Sequence, residues 1–203
     1  MDLFFLRILI IALAMLTLSG CTDNNEGDTR IDELSDKIVG TYHWTGAQYA
    51  ESRCYPDLDG DGLSSENYYE ELTTLGNVTN FKDSFSSVAK PSYKTREGTI
   101  SIFFPVQGLT EKNGRIATGW ICGNKVFALV RYNINEKGEI AFDTIDIYPP
   151  DYIIDVSISS PDVQVSFPNP GTMEMKITCL LYDFSTATAQ EYRVVHEFTR
   201  YRN

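Results

Sequence analysis

The sequence predicts an all-β domain, an antiparallel meander that closes into a barrel and carries one short helix, with a two-sheet β-sandwich as the alternative reading. Three observations predict it. From Glu97 onward, apolar and polar residues alternate with the period of half-buried strands. Turn residues break this pattern into short runs at hairpin-like intervals. Stretches of helical period are scarce over the same half of the chain. Closing such a meander would remove the two exposed edges that invite aggregation.

Taken in order, residues 37–49 read as the first strand and residues 65–75 as the helix, capped by Ser64 or Ser65. A strand over 78–88 follows. Residues 99–106 and 115–122 flank Thr110-Glu-Lys-Asn-Gly114, whose Asn-Gly pair suits a hairpin turn needing positive φ. Residues 126–133 place Val126, Ala128, Val130 and Tyr132 on one face. The turn from Asn135 to Gly138 leads into 139–147, and Pro149-Pro150 ends that run because proline donates nothing to a ladder. Short strands at 153–159 and 163–167 bracket Ser160-Pro161. The last and longest hairpin joins 172–184 to 190–201, with Tyr192, Val194, His196 and Phe198 on one face.

The start of the chain carries an address. Residues 1–20 read as a secretory leader, with Arg7, an apolar run over 8–16 and the small residues Ser19 and Gly20. Leu18-Ser-Gly-Cys21 resembles the lipobox of bacterial lipoproteins, which implies cleavage behind Gly20 and a lipid on Cys21. Residues 21–36 then read as the lipidated cysteine and a flexible acidic tether, and 37–203 as a single β domain. Thr22 stands where an aspartate would signal inner-membrane retention. The acidic residues behind it resemble the export signal of surface lipoproteins in the Bacteroidota. The implied location is the outer membrane, lipid-anchored and surface-exposed.

A formal net charge of -11 over 203 residues argues against nucleic acid as a partner and against a basic patch gripping anionic headgroups. The lipid, not charge, is the membrane contact. Cys54, Cys122 and Cys179 lie in the domain, and their odd count leaves one thiol over whichever pair forms.

Lys37-Ile-Val-Gly-Thr-Tyr-His-Trp44 resembles the Gly-x-Trp opening of lipocalins, with Tyr42 in the tryptophan position. With the meander order, this makes the chain similar to the lipocalin-like lipoproteins of the Bacteroidota and to calycin barrels. The resemblance implies that Tyr42 packs against a basic side chain of the last strand, Arg193 or Arg200, to close the barrel base.

The candidate sites are few. In Asp57-Leu-Asp-Gly-Asp-Gly62 the carboxylates of Asp57, Asp59 and Asp61 stand at alternate positions, and Gly62 falls where a calcium loop turns sharply. The twelfth loop position is Tyr68 rather than glutamate, so Glu66 or Glu70 would return from the helix to complete a structural calcium site. The other reading is an Asp/Gly turn that caps the helix. His43 and His196 would become neighbours in a closed barrel, a sparse donor set for zinc. Trp44, Trp120, Tyr132 and Tyr192 would line a pocket or stack on a sugar, with core packing as the plainer role.

No nucleophile elbow, phosphate loop or Cys-x-x-Cys is present. The function expected is therefore non-enzymatic: a surface lipoprotein whose barrel binds a small apolar or amphipathic ligand. The alternative is a surface glycan- or protein-binding interaction module with a closed core.

Overall fold

Alternating burial runs the length of the two longest strands. In β9 (Thr172–Asp183) every second residue from Met173 onward is buried, and in β10 (Thr188–Arg200) Tyr192, Val194, His196 and Phe198 face the same interior. The computed structural model describes residues 25–51, 54–74, 85–92, 94–118, 125–135, 137, 139–148 and 163–201. Cys21, Trp120, Cys122, the leader and the strand expected at 153–159 lie outside the described residues.

Ahead of the final hairpin come α1 (Asn25–Ile38), β1 (Gly40–Tyr49), α2 (Tyr68–Thr74), β2 (Phe85–Val88), β3 (Glu97–Pro105) and the β4 (Leu109–Lys112) to β5 (Arg115–Thr118) hairpin. Then follow β6 (Lys125–Ile134), β7 (Ile140–Tyr148) and β8 (Gln164–Ser166). The chain is mostly β, as expected. Eight strands form one antiparallel sheet in the order β7-β6-β3-β2-β1-β10-β9-β8, curled into a half-barrel. This is a meander wrapped so that the first strand pairs with the last, and among the described residues the unpaired edges are β7 and β8.

Several expectations are corrected. Residues 25–36 belong to a helix, not a loose tether: Ile31, Leu34 and Ile38 share one face, and Ile31 and Ile38 are buried against the sheet. Arg200 Nη1 donates to the carbonyls of Asp36, Lys37 and Val39 and so satisfies the end of that helix. The Asn113-Gly114 turn has the predicted positive φ at both residues, but it joins β4 to β5 as a separate hairpin. The strand that was expected to use the turn, β3, pairs with β2 and β6 instead.

Strand β1 departs from simple alternation. Trp44 pairs with Phe198 and Gly46 with Glu197, so Thr45 is an extra residue, a β-bulge that shifts the inward parity by one. Tyr42 and Trp44 point inward before it, Ala47 and Tyr49 after it. Tyr42 lies opposite Arg200 and donates to Ile38 O at 2.6 Å, whereas Arg193 is further up β10, 3.8 Å from Glu51. Of the two arginines, Arg200 is the one paired opposite Tyr42.

Among the described residues, buried side chains pack the concave side of the half-barrel. Tyr42, Phe104, Tyr132 and Phe198 from the sheet meet Leu58, Tyr68 and Leu72, which the preceding loop and α2 push inward. Burying each aliphatic or aromatic side chain of this kind contributes about 1.5–3 kcal/mol. The two histidines are not brought together. His43 pairs with Thr199 and its ring meets Tyr201, while His196 is fully buried among Phe104, Tyr68 and Trp44 with no hydrogen-bond partner on either ring nitrogen.

Two outcomes are expected. Gly98 lies opposite Tyr132, whose ring covers it and whose hydroxyl donates to Ala89 O at 2.6 Å. Gly98→Ala should therefore destabilise the domain by about 1–3 kcal/mol in urea denaturation, and Tyr132→Leu in the same chain should recover part of that loss. The second outcome concerns acid. Burial lowers the His196 pKa from 6.5 to about 3, so the unfolded chain binds more protons between those values. Stability should fall as pH drops through that window, by on the order of 2 kcal/mol between pH 7 and pH 5. His196→Phe should flatten this part of the pH profile.

Candidate functional site

The expected acidic loop is real, and its backbone explains its composition. Gly60 and Gly62 both take positive φ, which glycine adopts without a Cβ clash. The two oxygens of Asp57 accept from the Gly60 and Gly62 amides at 2.7 and 3.0 Å, Asp59 accepts from Asp61 N, and Asp61 accepts from Leu63 N. One carboxylate oxygen from each of Asp57, Asp59 and Asp61 lies within 4.8 Å of the others. Asp57 is buried and Asp61 exposed. Hard carboxylate oxygens in this grouping fit a calcium-class cation.

The helix contributes differently from the expectation. Glu66 is exposed, and Glu70 accepts from Ser65 Oγ at 2.8 Å. The carboxylate that reaches the loop is Glu71, buried, accepting from the amides of Leu58 and Ser65. Burial raises its pKa; those two hydrogen bonds work against the rise, and the charges of Asp59 and Asp57 add to it. The helix cap is Asn67 rather than Ser64 or Ser65, its Oδ1 accepting from Tyr69 N at 3.0 Å.

Two further buried side chains hold the loop to the sheet. Asp183 accepts from Asp57 N at 3.1 Å. Although burial pushes its pKa up, hydrogen bonds from Ser185, Thr186 and the Asp57 amide hold it below the usual value. Gln107 donates to Leu58 O and Tyr182 O and accepts from Tyr182 N, at 2.8–3.1 Å. Neither residue stands out in the sequence, since nothing local marks a glutamine or aspartate as the partner of a loop so distant along the chain.

Beside this anchored loop is a polar cleft of about 520 Å³. Thr45 and Gln48 of the bulged strand, Tyr55, Glu66 and Asn67 of the loop, Tyr69 of α2 and Glu197 of β10 line it. Each tyrosine is backed by a buried aromatic ring. Tyr69 packs on Trp44 with centroids 4.9 Å apart, and Tyr55 on Tyr49 at 5.5 Å. Gln48 Nε2 donates to Glu197 Oε1 at 3.3 Å, and the bulge residue Thr45 donates to Glu197 O at 3.2 Å.

None of the described residues expected to bind a ligand lines this cleft. Trp44 is buried as the support of Tyr69; Tyr132 is in the core; Tyr192 is buried against Tyr49. Cys179 is fully buried, its thiol pushed up to about 12 by burial, while Cys54 is exposed; the two do not pair with each other. A second, mainly apolar cleft of about 320 Å³ lies between α1 and the unpaired edges, with Leu34, Ile38, Phe142, Val165 and Phe167 on its walls and Lys37 among its lining residues. Among the described residues no helix is long and apolar enough to cross a membrane. Comparison of the chain with protein-family models, with curated proteins and with solved structures finds no match.

Proposed function

We propose that the chain is a non-enzymatic binding module, lipid-anchored at Cys21 in the outer membrane and displayed on the cell surface. It works through its outer polar cleft. The observation that carries this reading is the pairing of a side-chain-filled interior with a cleft whose tyrosine walls are held rigid from behind. The meander order, with first strand paired to last, supports a lipocalin-like barrel as the fold. The address in residues 1–21 supports the location.

A second reading, a carrier of small apolar or amphipathic molecules, is favoured by the apolar cleft beside α1. Mass spectrometry separates the two. Protein extracted from its native membrane should carry a lipid that Cys21→Ala abolishes, and intact cells should lose the domain to external protease. Under native conditions it should show no further lipid-sized mass. A retained amphiphile released on denaturation would move the assignment to the carrier, and an unlipidated chain would overturn the membrane address.

Calcium enters this reading as a structural ion at Asp57, Asp59 and Asp61, ordering the loop that supplies Tyr55 and Glu66 to the cleft. At ten times its dissociation constant, a bound ion adds about 1.4 kcal/mol of stability. Millimolar calcium should therefore raise the melting temperature, and the double variant Asp59→Asn, Asp61→Asn should abolish the rise. It should also lower the Glu71 pKa, reversing the repulsion from its acidic neighbours. A melting temperature indifferent to calcium would leave the loop as an Asp/Gly turn.

A further inference from the structure

We infer that the polar cleft is a site for an uncharged carbohydrate; the inference rests on the cleft reading above and names its ligand. A sugar ring has an apolar face of C–H groups and a rim of hydroxyls that each donate and accept. Tyr55 and Tyr69 offer the matching apolar faces. Their rings are half-buried and already fixed by Tyr49 and Trp44, so little side-chain freedom is lost on binding. Such two-torsion aromatic anchors give large contact area at low entropic cost.

The polar groups suit the hydroxyl rim. Gln48 and Asn67 bring amides, Glu66 and Glu197 bring carboxylate acceptors, and Thr45 brings a hydroxyl. Asn67 uses its oxygen to cap α2, which turns its NH2 arm into the available donor type. Glu197 is steadied by Gln48 and by the bulge. The described lining residues include two carboxylates and no basic side chain, and the whole chain carries a charge of -11. Like-charge repulsion therefore selects against sialylated, sulfated or uronic-acid sugars. The volume lies within the usual range for small-molecule sites.

The test is retention of the full lipidated chain, extracted in mild detergent, on an array of neutral oligosaccharides beside their sulfated and sialylated counterparts. Retention is expected on neutral members. It should fall at least about tenfold, equivalent to about 1.4 kcal/mol, in Tyr55→Ala and in Gln48→Ala, and stay unchanged in Lys137→Ala. Gln48 is exposed, so a melting temperature unchanged in Gln48→Ala separates lost contact from lost folding. Preference for the anionic members, retention indifferent to both cleft variants, or no retention at all would each overturn the inference. A surface-displayed lipoprotein that instead retains a synthetic peptide library through Tyr55 and Gln48 would also overturn it, while leaving the cleft as the binding site.

Discussion

Four buried polar side chains hold the part of the molecule that no ladder can hold. The segment from Tyr55 to Asn67 is irregular backbone, buried at Asp57 and Leu58, and backbone amides and carbonyls taken out of water need partners. Asp57, Glu71, Gln107 and Asp183 supply them, from the loop itself, the helix, the end of β3 and the end of β9. Leaving one such group without its partner costs about 1–3 kcal/mol. The arrangement therefore works as a set. It seats Leu58, Tyr68 and Leu72 in the interior, and the same seating presents Tyr55, Glu66 and Tyr69 to the cleft.

The bulge in β1 does a related job on the sheet. One inserted residue, Thr45, turns Ala47 and Tyr49 inward and leaves Gln48 on the outer side. Tyr49 can then support Tyr55, while Trp44, below the bulge, supports Tyr69. With strict alternation, Gly46 and Gln48 would have faced the core. The cleft thus depends on a local break in the pattern that otherwise builds the fold.

That break also marks where sequence reading stops. The long strands were legible because every second residue from Met173 to Leu181 is apolar and Tyr192, Val194 and Phe198 carry the alternation into β10, and Asn113-Gly114 was legible because its backbone needs positive φ. The pairing partner of that turn was not, since alternation states a face but no neighbour. Helix α1 was hidden by its charge: Ile31, Leu34 and Ile38 have helical spacing, yet acidic residues between them read as tether. Asp57, Asp59 and Asp61 announced themselves through regular spacing within six residues. Glu71 did not, because choosing it over Glu66 and Glu70 depends on how α2 is rotated. The cleft gathers residues from four separate segments, and no local pattern joins Tyr55 to Glu197.

The pairing of β1 with β10 has a consequence for how the chain is made. Contacts that join the two ends of a polypeptide form late, because the loop-closure entropy of the whole intervening chain opposes them. An emerging chain holds β1 long before β10, the neighbour that completes the middle of its sheet. Completion of the sheet is thereby held back until both of these distant segments are present, whatever has folded locally in between.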